Sequence, residues 1–598
     1  MLNTSKGPAA RVLLRPLRAF AALGLIAALV GGSALAQRAA APGDPEGATG
    51  VTDRRLAVAK RHMVAAANPL AASAGREMLR AGGSAVDAAI ATQLVLNLVE
   101  PQSSGLGGGA FIVVWDVKSK QLRSYDGRET APAATTANRF VVNGGVLPFD
   151  TAVGSGLSVG VPGLARVMEL AHQKHGRLPW AKLFEPALKL ADNGFQVSPR
   201  LSRLLNSQGA QSFAPAARAH YFDEGGRARP PGYLLKSPEF AATLRALAGG
   251  GADAFYRGPI AEAIVRAVDQ APFAKGRMTL ADIAAYKARE RSAVCFPYRT
   301  YKVCGMAPPS SGGLTVGMVL RLIEPLEIGK GRGAAMSGAA LHLIAEAERL
   351  AYADRDRYMA DPDHVPVPRG LMDDAYLAER RKLIDPARAA AKVEAGTPPG
   401  VGTNVFGKDA TRENPGTSHL SIVDKDGNVV AMTTTIEAGF GSRLWAAGFL
   451  LNNELTDFSM RPIDKDGKPA ANAPGPGKRP RSSMAPTIVL DASGKPVIAT
   501  GSPGGSRIIL YVLKSLVGII DWELDPQAAA ALPNFGSRGE SFEMEARFMA
   551  HPAIAALKAK GHRISTDAMT SGTHTIVIRP GRLEGGADPR REGVALGD

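Results

Sequence analysis

The chain has 598 residues, 45% of them hydrophobic and 21% charged, an ordinary soluble globular balance with length for a large core or several domains. The net charge of +16 does not mark a nucleic-acid-binding surface. No run of Lys and Arg carries interleaved aromatics, and four of the charges (Lys6, Arg11, Arg15 and Arg18) fall in residues 1–36, which hold no acid.

Those first residues read as an export signal. Basic residues precede an apolar run, Ala19 to Val30, followed by Gly-Gly-Ser and the small-x-small site Ala34-Leu35-Ala36. The run is shorter than the roughly 20 residues that span a bilayer, so no membrane anchor is expected. No cysteine follows the site, so no lipid anchor is expected either. A mature chain from about Gln37, periplasmic or secreted, is the expectation.

Ser84 to Val99 is apolar almost all round and predicts a buried helix ending at Glu100-Pro101. Gly105-Leu-Gly-Gly-Gly109 follows, then a strand from Ala110 to Asp116. A dinucleotide site needs strand, glycines and helix in that order. Here the order is reversed, and close backbone packing is the better account. The hairpin formed with Leu122 to Asp126 leads to Arg128. Gly156-Leu-Ser158-Val-Gly160 matches a nucleophile elbow, but Ala152 to Ser155 is a poor strand and Val161-Pro162 delays any helix. Ser158 is therefore not taken as a nucleophile.

Helical periodicity runs from Gly163 to Gly194 and again from Ser337 to Met359. His172 and His175 fall on a polar helix face and are expected to be solvated; no metal site is expected. Cys295 and Cys304 are the two cysteines. In an oxidising compartment they either bridge two strands of a hairpin or remain unrelated thiols. Residues 389–416 have loop composition, open to cleavage.

At Thr417 a loop gives way abruptly to a strand pattern. Leu420 to Val423, the turn Asp424-Lys-Asp-Gly427, and Val429 to Ile436 predict a hairpin. A three-residue loop puts Thr417 opposite Thr435; a two-residue loop shifts the pairing by one. An internal threonine lacks a base of its own, but a threonine that begins a chain has its α-amino group. That amine titrates near 7.7–8.0 and can take the hydroxyl proton. The seam makes sense if the Gly416–Thr417 bond is cut, with the Thr417 hydroxyl attacking the Gly416 carbonyl.

A second hairpin, Thr487 to Leu490 with Val497 to Thr500, runs into Gly501-Ser-Pro-Gly-Gly-Ser506 and a helix from Ile508 to Ile520. Amides at Gly504 and Gly505 suit an oxyanion. Glu437, Glu454 and Asp457 suit an ammonium, while Ser482 and Ser483 with an arginine suit a carboxylate. Together they would read an α-amino-acid head group, with Arg443 or Arg481 sharing the excess negative charge. Helices mixed with antiparallel hairpins point to layered α/β packing.

These residues resemble a γ-glutamyltranspeptidase, one of the N-terminal-nucleophile hydrolases. The likeness rests on Ala67-Asn-Pro-Leu-Ala71, Gly82-Gly-Ser-Ala-Val-Asp87, Glu100-Pro-Gln-Ser-Ser-Gly105, Pro308-Pro-Ser-Ser-Gly-Gly313, Thr417-Ser-His419, Asn452-Asn-Glu-Leu-Thr-Asp457, Arg479-Pro-Arg-Ser-Ser-Met484 and Gly501-Ser-Pro-Gly-Gly505. It implies an αββα sandwich and a proenzyme that becomes a heterodimer of intertwined large (37–416) and small (417–598) subunits. It implies Thr417 as nucleophile bonded to Thr435, and Gly504 and Gly505 as the oxyanion hole. Arg128, Ser482 and Ser483 would hold the donor carboxylate, and Glu437, Glu454 and Asp457 would face its amine. The substrates implied are glutathione and other γ-glutamyl compounds, with water, amino acids or dipeptides as acceptors and no cofactor. Ser418 replaces a frequent second threonine, Glu437 stands where some members have asparagine, and Ser459 to Gly477 holds no Tyr or Trp where some members carry an aromatic lid. The alternatives are a glutaryl-type acylase on the same scaffold and an unprocessed exported binding protein.

Overall fold

The structure, a computed structural model, describes Ala48 and residues 50–598, apart from 403–405, 412, 414 and 415. The export signal expected over residues 1–36 lies outside the described residues. No helix among the described residues is long and apolar enough to cross a membrane.

Two seven-stranded antiparallel sheets form the centre. The first runs, edge to edge, Ala57–Ala59, Arg582–Ala587, His574–Arg579, Pro496–Thr500, Thr487–Leu490, Tyr301–Gly305 and Val294–Tyr298. The second runs Val594–Gly597, Met63–Ala66, Thr417–Val423, Val429–Thr435, Gly109–Asp116, Gln121–Gly127 and Arg289–Arg291. Strands on both sides of Thr417 thus interleave in each sheet, so neither half of the chain builds a sheet alone.

Strand alternation sorts the apolar side chains into layers. In the second sheet, Ile112, Val114, Leu420, Ile422, Val430 and Met432 pack into one core with the helices Pro69–Arg80 and Ala85–Val99. Their neighbours Val113, Trp115, Val423, Val429 and Ala431 point the other way and meet Ile488, Leu490, Ala499 and Ile576 of the first sheet. Val489 faces a third core with the helices Gly312–Ile323, Gly338–Tyr358 and Ile508–Ile520. The order is helices, sheet, sheet, helices: the αββα sandwich expected. Ala85–Val99 is buried along its whole length, as its largely apolar sequence leads one to expect, and Ser84 caps it in a box with Asp87.

Several expectations change. The helical periodicity over 163–194 resolves into Leu164–His175, the 3-10 turn Trp180–Phe184 and Glu185–Asn193. Gly176 ends the first, and Pro179 starts the turn that follows. His172 and His175 are not solvated; their side chains are 17% and 8% exposed. His172 Nε2 lies 2.9 Å from the Leu178 carbonyl and 3.6 Å from Asp87, and His175 lies 2.6 Å from the Tyr125 hydroxyl and 3.3 Å from Asp116. Those acids are remote in sequence, which is why spacing along the helix missed them. Cys295 and Cys304 stand directly opposite each other in the hairpin and form a disulfide.

Candidate active site

Register builds the site. Thr417 pairs with Thr435 and Val423 with Val429, so the hairpin is the one a three-residue loop gives. Thr417, His419 and Ser421 share the face of Val423, which looks toward the first sheet. Ser421 Oγ accordingly donates to the His574 carbonyl of that sheet at 2.9 Å. Ser418 points the opposite way and donates to Glu100, at the end of the buried helix, at 2.8 Å. Thr417 therefore lies at the end of the layer between the sheets.

The Thr417 hydroxyl donates to the Gly416 carbonyl oxygen at 2.6 Å, and the Thr435 hydroxyl donates to the same oxygen at 2.6 Å. The two hydroxyl oxygens are 3.5 Å apart. The Glu437 amide donates to Thr435 Oγ1 at 2.8 Å and orients it. Arg591 Nη1, from the C-terminal segment, donates to the Thr417 carbonyl at 3.3 Å. His419 is not a base for Thr417: its ring nitrogens lie 2.9 Å from Thr433 Oγ1 and 3.1 Å from Ser421 Oγ. Burial, with His574 nearby, pushes its pKa well below the ordinary value.

The glycine run 105–109 serves this strand pair. A Cβ on Gly108 would stand 2.0 Å from the Thr435 carbonyl oxygen, and one on Gly107 would stand 2.1 Å from that of Leu450. A side chain at Gly416 would meet the Glu437 carbonyl oxygen at 1.8 Å. Gly504 and Gly505 have φ of 140° and 57°, and the backbone turns there into the helix Ile508–Ile520. Gly505 borders the cavity at Thr417.

Around that cavity the structure brings together Arg128, Gly416, Thr417, Thr435, Glu437, Glu454, Asp457, Ser482, Ser483 and Gly505. Arg128 lies within ion-pair contact of Glu454 and 2.6 Å from Asp457, and it donates to the carbonyls of Pro480 at 3.1 Å and Arg481 at 2.8 Å. These bonds take four of the five guanidinium N–H groups. Burial opposes the charge on Arg128, but Glu454 and Asp457 outweigh it and raise its pKa. Glu129, beside Arg128 in sequence, is also fully buried. Burial, then Glu454, pushes its carboxyl well above the ordinary range. Burial likewise raises Glu454 and Asp457, against the pull of Arg128. Three buried carboxyls thus surround one guanidinium, and Glu454 lies within hydrogen-bond reach of both Asp457 and Glu129.

The Pro308–Gly313 segment holds the serine pair. Ser311 donates to the Ser482 carbonyl at 2.7 Å from both its amide and its hydroxyl, and Ser482 Oγ accepts from the Met484 amide at 3.1 Å. Ser483 Oγ accepts from Arg355 at 2.6 Å and donates to Glu413. Arg481 Nη2 lies 3.2 Å from Glu413. Arg443, the alternative charge partner, lies near Asp150 and Glu437 and also borders a separate groove of about 990 Å³.

Sequence reasoning missed Glu129, Arg355, Glu413 and Arg591. Glu129 follows Arg128 directly and was within reach. Arg355 sits on a helix read only for its apolar period, and Glu413 in a loop read only for its composition. Ser158, by contrast, is buried in a 3-10 turn, its hydroxyl donating to the carbonyls of Val153 and Ser155 at 2.8 Å.

Away from the site, His342, Glu346 and His562 bring ligand-type atoms within 4.8 Å of one another. Their atoms already have partners. The two rings bond at 2.7 Å, His342 Nε2 lies 2.8 Å from the Asp385 carbonyl, and Glu346 accepts from Arg349 at 2.7 Å and the Ala390 amide at 2.9 Å.

Two stacked sheets between helix layers, with a hydroxyl residue heading a central strand at the end of the inter-sheet layer, define an N-terminal-nucleophile hydrolase fold. The family model described as "Gamma-glutamyltranspeptidase" matches residues 71–598. The chain belongs to that family. It is 38% identical to the glutathione hydrolase proenzyme of Escherichia coli K12, over 94% of this chain and 97% of the relative. It is 33% identical to the acylase ACY 1 proenzyme of Pseudomonas sp. SE83, over 91% and 95%. Among solved structures, cephalosporin acylase from Bacillus halodurans superposes with a TM-score of 0.78 at 29% identity, over 93% of this chain and 99% of that one. The γ-glutamyltranspeptidase of Helicobacter pylori gives a TM-score of 0.53 at 31% identity, over 59% and 100%.

Proposed function

We propose that the chain is an exported proenzyme that cuts itself between Gly416 and Thr417 and then transfers γ-glutamyl groups from glutathione and related amides. The paired hydroxyls on one carbonyl oxygen carry this reading. Thr417 Oγ1 is adjacent to the carbonyl it has to attack, and the Thr435 hydroxyl, donating to that carbonyl oxygen, withdraws electron density from its carbon. Attack forms the Oγ1–C bond and breaks the C–N bond. The hydroxyl proton ends on the departing nitrogen, and water opens the ester. The products are a large subunit, 37–416, and a small subunit, 417–598, held as a heterodimer because their strands interleave in both sheets.

The freed α-amine of Thr417 then serves as base for its own hydroxyl, which attacks the γ-carbonyl of the donor. The amides of Gly504 and Gly505 receive the oxyanion, the leaving amine takes the proton, and a γ-glutamyl ester remains. Water, an amino acid or a dipeptide resolves it. Arg128, Ser482 and Ser483 meet the donor carboxylate; Glu437, Glu454 and Asp457 meet its ammonium.

The acylase relatives raise a second reading, removal of glutaryl groups. A glutaryl chain brings the carboxylate but no ammonium. The carboxyl-rich surroundings of Arg128 favour a donor that carries a cation. The purified protein is expected to release the amine from a γ-glutamyl anilide, faster with a dipeptide present, and to cleave the glutaryl anilide more slowly. Faster cleavage of the glutaryl compound would reverse the choice.

A further inference from the structure

In the uncut chain the Glu413 carboxylate sits against Ser483, one of the two hydroxyls assigned above to the donor carboxylate. The Glu413 side chain is 4% exposed, three residues ahead of Gly416. Oε1 contacts Arg355 and lies 3.2 Å from Arg481 Nη2, and Oε2 accepts from Ser483. Arg355 is itself fixed by Ser311 and Asp356, each at 2.9 Å, and Arg481 by Asp409 at 3.2 Å. Glu413 lines the same cavity as Thr417. With Glu413 in place that cavity holds only about 20 Å³, room for about one water molecule and too little for an amino-acid head group.

An α-amino acid carries its carboxylate and ammonium on one carbon, so the sites that read them have to adjoin. Arg481 joins them here: its carbonyl accepts from Arg128, in the carboxyl cluster, and its guanidinium reaches Glu413. Glu413 also lies close enough to Asp457 to raise its pKa. Burial opposes ionisation of Glu413, but Arg355, Arg481 and Ser483 outweigh it and hold its carboxyl down at about 2.

We propose that Glu413 is an internal stand-in for the donor carboxylate, closing the substrate pocket until the chain is cut, and that Arg355 and Arg481 become donor-carboxylate contacts once it leaves. This rests on the γ-glutamyl reading only for the head group; a glutaryl donor would present the same carboxylate. Before cleavage the clamp also anchors the chain just ahead of the scissile bond. After cleavage the segment ends at Gly416, no longer joined to Thr417, and a donor carboxylate competes for the same three groups.

The test uses the full-length chain kept uncut by Thr417→Ala, titrated calorimetrically with L-glutamate at millimolar concentration. No binding is expected with Glu413 present, and binding is expected once Glu413→Ala is added. Equal binding by both chains, or binding by neither while glutamate inhibits the cut wild type, would overturn the stand-in. Folding of the double variant is checked by its thermal transition. In the cut enzyme, Arg355→Lys is expected to raise KM for γ-glutamyl anilide roughly tenfold to hundredfold, the effect of weakening a hydrogen bond to a charged group, with a smaller change in kcat. An unchanged KM would remove Arg355 from the donor site. If the cut wild type turns over neither γ-glutamyl nor glutaryl anilide, the reaction assigned above fails, and this proposal with it. Turnover of either leaves the reaction class standing and the stand-in to be judged by the binding result.

Discussion

The hydroxyls of Thr417 and Thr435 meet at one oxygen. They occupy directly paired strand positions, and each donates to the Gly416 carbonyl at 2.6 Å. The pairing depends on the hairpin turn after Val423, because a slip of one residue would turn Thr435 to the opposite face.

Thr435 is accordingly expected to matter before any substrate binds. Thr435→Ala removes one donor from the carbonyl under attack, and losing a donor of that kind slows a reaction by roughly 10²–10³. The uncut chain should accumulate over hours on a denaturing gel, while Thr435→Ser should process at a rate nearer the wild type. Wild-type processing by Thr435→Ala would show that the hydroxyl is a bystander.

The carboxyl cluster makes a pH prediction. Glu129, Glu454 and Asp457 all have raised pKa values in the folded protein. Above about pH 4, where unfolded carboxyls ionise, the folded protein binds more protons than the unfolded chain. The contribution of this cluster to stability therefore falls as pH rises through and beyond that range. On the proposed function the donor ammonium would sit among these carboxyls and favour their ionised forms. L-glutamate binding to the cut enzyme should release protons, seen as a dependence of calorimetric heat on the buffer, and glutarate should release fewer. Asp457→Asn should raise KM for γ-glutamyl anilide by about tenfold or more and narrow the preference over the glutaryl compound. Equal proton release by both ligands would mean that the cluster does not read the amine.

Gly108 supplies a packing prediction. Adding a methyl group there puts carbon 2.0 Å from the Thr435 carbonyl oxygen, a backbone atom that cannot swing aside. Gly108→Ala is expected to cost on the order of 1–3 kcal/mol and to impair processing by displacing Thr435. The two effects are read from a denaturant midpoint and from the fraction cut. A fully processed, equally stable variant would show that the strand can shift without harm.

Much of this was legible in the sequence because it is local. Alternation in Leu420–Val423 and Val429–Ile436 and the Asp-Gly turn set the hairpin, and the hairpin set the threonine pair. The largely apolar Ala85–Val99 announced a buried helix, and Gly504-Gly505 ahead of Ile508 a strand-to-helix turn. The rest is not local. The first sheet takes Ala57–Ala59 from one end of the chain and His574–Arg579 and Arg582–Ala587 from the other, pairings that no periodicity specifies. Glu413 and Arg355 meet 58 positions apart, and an arginine on a helix reads as solvated until the helix is packed. The acid partners of His172 and His175 were hidden for the same reason.

The central claim is that Thr417 becomes a chain terminus and works from there. Intact mass and N-terminal sequencing of active protein, run beside Thr417→Ala, test it most directly. The wild type is expected to yield a small subunit beginning Thr-Ser-His, and the variant a single uncut, inactive chain. An active sample with no chain beginning at Thr417, or a variant that is still cut there and turns over γ-glutamyl anilide, would contradict it.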